Sequence, residues 1–305
     1  MRSWPEQRLR EVADGITVIL NGQGEVGVAN AVFVIEGDRA LVIDTMTFPE
    51  MAEGMAREIT RRHAHVDIVL NTHHHIDHIG GNKLFAGARV FAHPASIRSL
   101  ERLGFPIAVY DTLMPQFRGQ FADLELVVPE PTLNQFTPPR GGELRIFTPA
   151  HTAADVAVWF PESRVLIAGD IGFIGVTPLA VHGLISAWID ALDALVALKP
   201  EVVVPGHGPL GSAQDLIVLR AYLSAVLDLG RHAVEEGVSI QDVLADFDAG
   251  PVAEWIEPER TSLNLERAMQ EAHGGISPTD VSALLPSLRS RNTLTAPHKV
   301  GTPDR

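Results

Sequence analysis

Four of the chain's thirteen histidines crowd around one aspartate in Asn71-Thr72-His73-His74-His75-Ile76-Asp77-His78. Imidazole nitrogens and carboxylate oxygens suit Zn²⁺, with Fe or Mn as alternatives. In an extended backbone, residues two apart face the same side, so His73, His75 and Asp77 converge. His78 joins them only if the chain turns, and Gly80-Gly81 suits such a turn. One tetrahedral zinc cannot take all four groups and keep a position open for water. The spacing therefore predicts two ions, with His73 and His75 on one and Asp77 and His78 on the other. His74, between ligands, is expected to point away as a packing or surface residue. The chain has no cysteine, so thiolate sites are excluded.

Each ion needs further ligands, and the elements that would deliver them can be read along the chain. Short apolar runs bounded by Gly, Asn or Asp predict strands over 15–20, 31–35, 40–43, 67–70, 88–92, 144–147, 156–160, 165–168 and 202–204. Helices are predicted over 51–62, from about 94, and over 184–198, 213–236 and 259–273. Short buried strands alternating with helices indicate a mixed α/β core with covered sheet faces. The histidine-rich stretch follows one of these strands. His151, Asp170 and His207 each follow another. All the candidate ligands thus leave carboxyl ends of strands, where α/β proteins hold their sites.

Other residues receive plainer readings. His182, in the loop after Asp170, is a candidate substrate contact. Residues 105–139 form a long, proline-containing stretch with scattered apolar residues, expected to be a lid-like insertion. Its Tyr110, Met114 and Phe117 are candidate substrate contacts. His93 reads as structural and Asp155 as a hydrogen-bonding loop residue, while His63, His65, His232, His273 and His298 read as solvated. A core over 1–211, a helical extension packed on it over 212–273, and a loose polar tail over 274–305 complete the expected organisation. The net charge of −14 and pI near 5.3 argue against nucleic acid as a partner. No stretch has the apolar length to span a bilayer, and the polar N-terminus lacks a secretory core, so a cytoplasmic protein without a membrane partner is expected. A homo-oligomer is compatible with the sequence.

His-x-His-x-Asp-His at 73–78, the lone His151, Gly169-Asp170 and Pro205-Gly206-His207-Gly208, in that order, resemble the metallo-β-lactamase superfamily. The resemblance spans roughly 15–211. It implies an αββα sandwich with a dinuclear site, followed here by the C-terminal helical extension. It implies that His73, His75 and His151 hold the first ion, Asp77, His78 and His207 the second, and that Asp170 bridges them. Asp44, ending the strand 40–43, matches the superfamily's aspartate that orients a ligand histidine.

Two divalent cations about 3.5–4 Å apart share a hydroxide nucleophilic at neutral pH. Asp77 and Asp170 are the catalytic carboxylates, positioned to hold its proton. The resulting expectation is a dinuclear zinc hydrolase of an ester, thioester or lactone, acting on a small-molecule or carrier-bound acyl substrate. Asp170 argues against the β-lactamase subclasses, which carry Cys or Ser there. Ala150 and Ala154 replace glycines of the glyoxalase II run TPGHTxG, against a glutathione thioester. Thr148 to Asp155, Thr177-Pro178, the PGHGP stretch and Glu259-Arg260, Asn264, Arg267-Ala268 and Glu271 resemble the zinc-dependent cyclases and thioesterases of aromatic polyketide biosynthesis. That resemblance implies an alternative activity, with zinc as Lewis acid in ring closure. A mononuclear iron persulfide dioxygenase is a further alternative.

Overall fold

The computed structural model describes residues 4–277 apart from 132, 134, 135, 246, 248 and 249. Two sheets carry the fold. The first comprises β1 (Gln7–Ala13), β2 (Ile16–Asn21), β3 (Ala31–Glu36), β4 (Arg39–Ile43), β5 (His65–Leu70) and β6 (Arg89–Phe91), ordered as in the chain. Pairing is antiparallel from β1 to β4 and parallel from β4 to β6. The second sheet, ordered β10-β9-β8-β7, contains β7 (Glu143–Phe147), β8 (Asp155–Phe160), β9 (Val165–Phe173) and β10 (Val202–His207). Only β9 and β10 run parallel in it.

Parallel neighbours need crossovers, which helices supply. Helix α1 (Pro49–Arg61) joins β4 to β5 and buries Met51, Met55 and Ile59, one apolar stripe at i, i+4 and i+8. A short turn α2 (Ile76–Ile79) and helix α3 (Pro94–Leu103) flank β6, and α4 (Ile107–Leu113) follows. Helix α5 (Ile185–Ala197) joins β9 to β10. After β10 come α6 (Ala213–Glu236), α7 (Ile240–Ala245) and α8 (Arg260–Ala272). Ser212 and Asp215 form a capping box that starts α6, and left-handed Gly237 ends it.

The sheets face each other through Ile16, Val18, Val32 and Ile43 of the first and Val156, Val158, Ile167 and Val204 of the second. The far side of the second sheet, through Trp159 and Leu166, packs on Trp188, Leu192, Leu219 and Leu223 of α5 and α6. Both faces of β8 and β9 are therefore covered, which is why their sequences are nearly continuous apolar runs. This is the expected αββα layering.

Several boundaries differ from expectation. Strand β1, unread in the polar N-terminal stretch, is an exposed edge strand whose Arg8, Arg10 and Glu11 discourage further pairing. Strand β9 runs through Asp170 to Phe173 and β10 includes His207, so both ligands sit within strands and not after them. Bulges between Val204, Pro205 and His207 let the pair continue, and a bulge re-aims side chains. Asp77 and His78 lie on the helical turn α2, not on an extended backbone, because the turn begins directly after His75. Phe105–Asp123 forms a compact unit of its own, with α4 and two 3₁₀ turns, where an irregular loop was expected. Within it Tyr110 packs against Phe105 and Phe121, while Met114 and Phe117 are buried. Of the expected tail, residues beyond 277, including His298, lie outside the described residues.

Candidate metal centre

Two groups of ligand-type side chains form at the meeting of the sheets. His73, His75, His151 and Asp170 place ligand atoms within 4.8 Å of one another, and Asp77, His78 and His207 do the same. Asp170 joins the groups. Its Oδ1 lies 3.1 Å from His78 Nε2, and its Oδ2 lies 3.3 Å from His151 Nε2 and 3.7 Å from both His73 Nε2 and His207 Nε2. His207 Nε2 is 3.2 Å from Asp77 Oδ2, and His151 Nε2 is 3.1 Å from His75 Nδ1. All seven residues expected as ligands thus come together, with nitrogens and oxygens converging.

Local structure explains this convergence. Leu70 ends β5, and the backbone then carries His73 and His75 into α2. His151 stands in the turn between β7 and β8, held by Asp155, which accepts hydrogen bonds from the Thr152 amide and hydroxyl. Burial raises the Asp155 carboxyl to about 6, opposed by the nearby His151 and these hydrogen bonds. Gly169 adopts φ +54 just before Asp170. Gly206 lets β10 pass beside that carboxylate, since a Cβ there would sit 1.8 Å from Asp170 Oδ1. Aromatic rings fix two ligands: Trp188 packs edge-on to His151 with centroids 4.7 Å apart, and Phe173 stacks on His207 at 5.1 Å and 7°.

Asp44 ends β4 in the left-handed region, at φ 62, a conformation that Asp tolerates better than most residues. Its Oδ1 accepts the Thr72 amide at 2.8 Å, and its Oδ2 accepts the Thr72 hydroxyl and His78 Nδ1–H, each at 2.7 Å. The Thr72 hydroxyl has one proton, and giving it to Asp44 leaves its oxygen to accept His73 Nδ1–H at 3.1 Å. One carboxylate thereby fixes the Nδ1 proton of a histidine in each group and turns both Nε2 atoms toward Asp170. Thr72 was not singled out in the sequence; its position directly before His73 was the available signal.

Charge and burial favour a cation. His73 and His75 are held well below the usual histidine pKa by burial and by neighbouring imidazoles, so they are neutral donors. Burial also works against a proton on His78, but Asp170 and Asp44 outweigh it and raise its pKa well above the ordinary value. Asp170 lies well below the usual range despite burial, because His78, His207 and His73 surround it. Asp77 is lowered by its hydrogen bond with His207 and by His78, again against burial. His73 Nε2, His78 Nε2 and Asp170 Oδ1 are buried without a hydrogen-bond partner. Such orphans are costly in a dry interior, and a divalent ion would satisfy all three.

The remaining candidates divide. His182 reaches the centre, with Nδ1 2.6 Å from His75 Nε2. His74 does not point to the surface. It is buried beside His75 and His182, with ring centroids at 4.9 and 5.6 Å. His93 is structural, accepting the Ala95 amide at the start of α3. Tyr110, Met114 and Phe117 belong to the separate 105–123 unit. Helix α8 has a role unread in the sequence: it holds the 177–186 loop. Asn264 bonds the Ala180 amide and Pro178 carbonyl, Arg267 donates to the Gly183 carbonyl, and Glu271 accepts the Ile185 and Ser186 amides.

Comparison with known proteins agrees with this geometry. Residues 24–207 match the profile of the metallo-beta-lactamase superfamily. A hydroxyacylglutathione hydrolase from Gloeobacter violaceus is 27% identical over 270 residues, covering 86% of this chain and 95% of that protein. A metallo-beta-lactamase type 2 from Elizabethkingia meningoseptica is 26% identical over 221 residues, covering 67% and 79%. The crystal structure of DIM-1 metallo-beta-lactamase superposes with a TM-score of 0.54 at 20% identity, covering 73% of this chain and 99% of that one. Among the described residues, no helix is long and apolar enough to cross a membrane.

Proposed function

The chain belongs to the metallo-beta-lactamase superfamily and is a metallo-hydrolase, and from that premise we propose a two-zinc enzyme that cleaves an ester, thioester or lactone carbonyl. The observation that carries the reading is Asp170, whose two oxygens face both ligand groups. Two divalent cations held there would supply Lewis-acid polarisation of a carbonyl and a water acidic enough to attack near neutral pH. The first would rest on His73, His75 and His151, the second on Asp77, His78 and His207, with Asp170 between.

The protein's own groups do the rest. Asp77 and Asp170, kept ionised by their histidine neighbours, balance cationic charge and can accept the proton of an attacking water. Asp44 keeps the ligand tautomers fixed through the reaction. Burial of His73, His78 and His151 keeps bulk water from competing. Among carbonyl substrates, a thioester has most support. The Gloeobacter relative is named for an acyl glutathione; Ala150 and Ala154, which argue against glutathione itself by replacing glycines of the glyoxalase II run, are fully buried, so their methyls leave room for another thioester.

Elemental analysis with a hydrolysis panel of thioesters, lactones and β-lactams tests this. Two zinc ions per chain and thioester turnover are expected. One iron per chain with O₂ uptake would refute it.

A further inference from the structure

Arg98 and Arg102 depart from the habits of an acidic chain. Most described arginines pair with carboxylates, as Arg89 does with Glu130 and Arg220 with Asp193, while Arg8 and Arg10 on the exposed edge strand do not. Among the described residues, neither Arg98 nor Arg102 has an ion-pair partner, although both are exposed. They lie one turn apart on the same face of α3 and line a cavity of about 410 Å³. Ser99, Thr148, His182 and Gly183 are also in its wall, and no carboxylate is. Ala95, Pro149, Ala153, Leu184 and Ile276 complete the lining, so in a protein of net charge −14 this cavity sets two cationic side chains against an apolar wall.

Its inner wall abuts the metal centre. Thr148, Pro149 and Ala153 belong to the turn that carries His151, and His182 touches His75. If His75 gives Nδ1 to the first ion, its Nε2 carries the proton and donates to His182 Nδ1. The proton of His182 is then on Nε2, a buried nitrogen without a protein partner. His74, His75 and His182 also lie within ligand distance of one another.

We propose that the cavity receives an oxyanion, a carboxylate or phosphate, carried by the acyl substrate, held by Arg98 and Arg102 with His182 Nε2–H as a neutral donor. Charged acceptors on arginine are the stronger class of hydrogen bond. This assignment rests on the hydrolase reading and narrows its substrates to acids.

The test uses metal-loaded protein, with metal content checked in every variant. Calorimetry with inorganic phosphate compares wild type with Arg98→Ala, Arg102→Ala and the double variant. Kinetics compare a thioester whose acyl chain ends in a carboxylate with its methyl ester. The double variant should weaken phosphate binding about 10- to 100-fold. Wild type should favour the acid in KM by a similar factor, and that preference should collapse toward one in the double variant. Equal KM for the two thioesters in wild type overturns the assignment. So does phosphate affinity that is indifferent to both arginines but lost on stripping the metals. Arginine-dependent phosphate binding without thioester discrimination assigns the cavity to a free anion and also overturns it. If neither thioester is cleaved while phosphate still needs the arginines, the hydrolase reading falls and the oxyanion site stands.

Discussion

Asp44→Asn isolates how much the metal centre owes to a residue outside both ligand groups. Asparagine tolerates the left-handed backbone at φ 62, so the chain path is preserved. In one amide orientation the oxygen keeps the Thr72 amide bond and the NH₂ group meets the Thr72 hydroxyl and His78 Nδ1. His78 must then accept at Nδ1 and carry its proton on Nε2, the nitrogen that faces Asp170 at 3.1 Å. In the flipped orientation the NH₂ opposes the Thr72 amide. Either way a charge-assisted hydrogen bond of about 1.5–3 kcal/mol is lost. At about 1.4 kcal/mol per decade this is on the order of 10- to 100-fold in metal affinity, the range found for partners of ligand histidines. His78 should be affected most, and His73 through Thr72. Competition of the apo-protein with a chromophoric chelator for Zn²⁺ measures both steps, and Tm of the apo-protein controls for folding. Wild-type affinity for both ions in Asp44→Asn would refute the account of tautomer control.

Four further outcomes are expected. Asp170→Asn should keep the fold and lose at least about 100-fold in thioester turnover, read by initial rates beside metal content, because this carboxylate faces both ligand groups and would serve both proposed ions. Gly206→Ala should lower Tm by the equivalent of roughly 1–3 kcal/mol and weaken metal binding, since its Cβ would displace Asp170. Trp188→Ala should cost about 3–5 kcal/mol in urea unfolding, through the cavity left beside His151 and the lost indole bond to the Ile171 carbonyl. Hydrogen bonds from Arg61 and Arg62 lower Glu58 from 4.5 to about 2. Its stabilisation is therefore present above pH 4.5 and lost as pH falls through about 2. Solvent screening keeps the contribution near 0.5–1 kcal/mol, so Glu58→Gln should trail wild type by that much at pH 7, with the gap closing below pH 4.5.

The ligands were legible because each lies within a few residues of an apolar run, and a buried strand announces itself by composition. His151 and His207 needed no more than that. What the pattern could not show was backbone detail. Asp170 and His207 fall inside strands because bulges carry the β9–β10 pairing past the apolar run, and a bulge leaves no compositional mark. Strand β1 is polar because it is an edge, the setting in which strand and loop compositions coincide. His74 was open to two readings, packing or surface, because alternation says which way a side chain points but not what covers that side; it is buried. Asn264 and Arg267 entered the sequence reading only through a family resemblance, yet both are buried and bond backbone groups over 80 residues away, which no local pattern shows. The alternative of a polyketide cyclase rested on loop motifs and on residues of α8, which describe the frame of a site more than its substrate.

The ligands also divide between layers. His73, His75, Asp77 and His78 follow the first sheet, whereas His151, Asp170 and His207 belong to the second. Each ion would therefore be a further cross-link between two halves joined by apolar contact and by hydrogen bonds such as those from Asn30 to the Pro205 and Gly208 carbonyls, and the native arrangement is what brings its ligands together. Saturating metal at a thousandfold above its Kd would add about 4 kcal/mol to the folded state. A chelator then acts as a denaturant aimed at one rim of the sandwich, and metal supply in the cell becomes a term in how much of this protein survives.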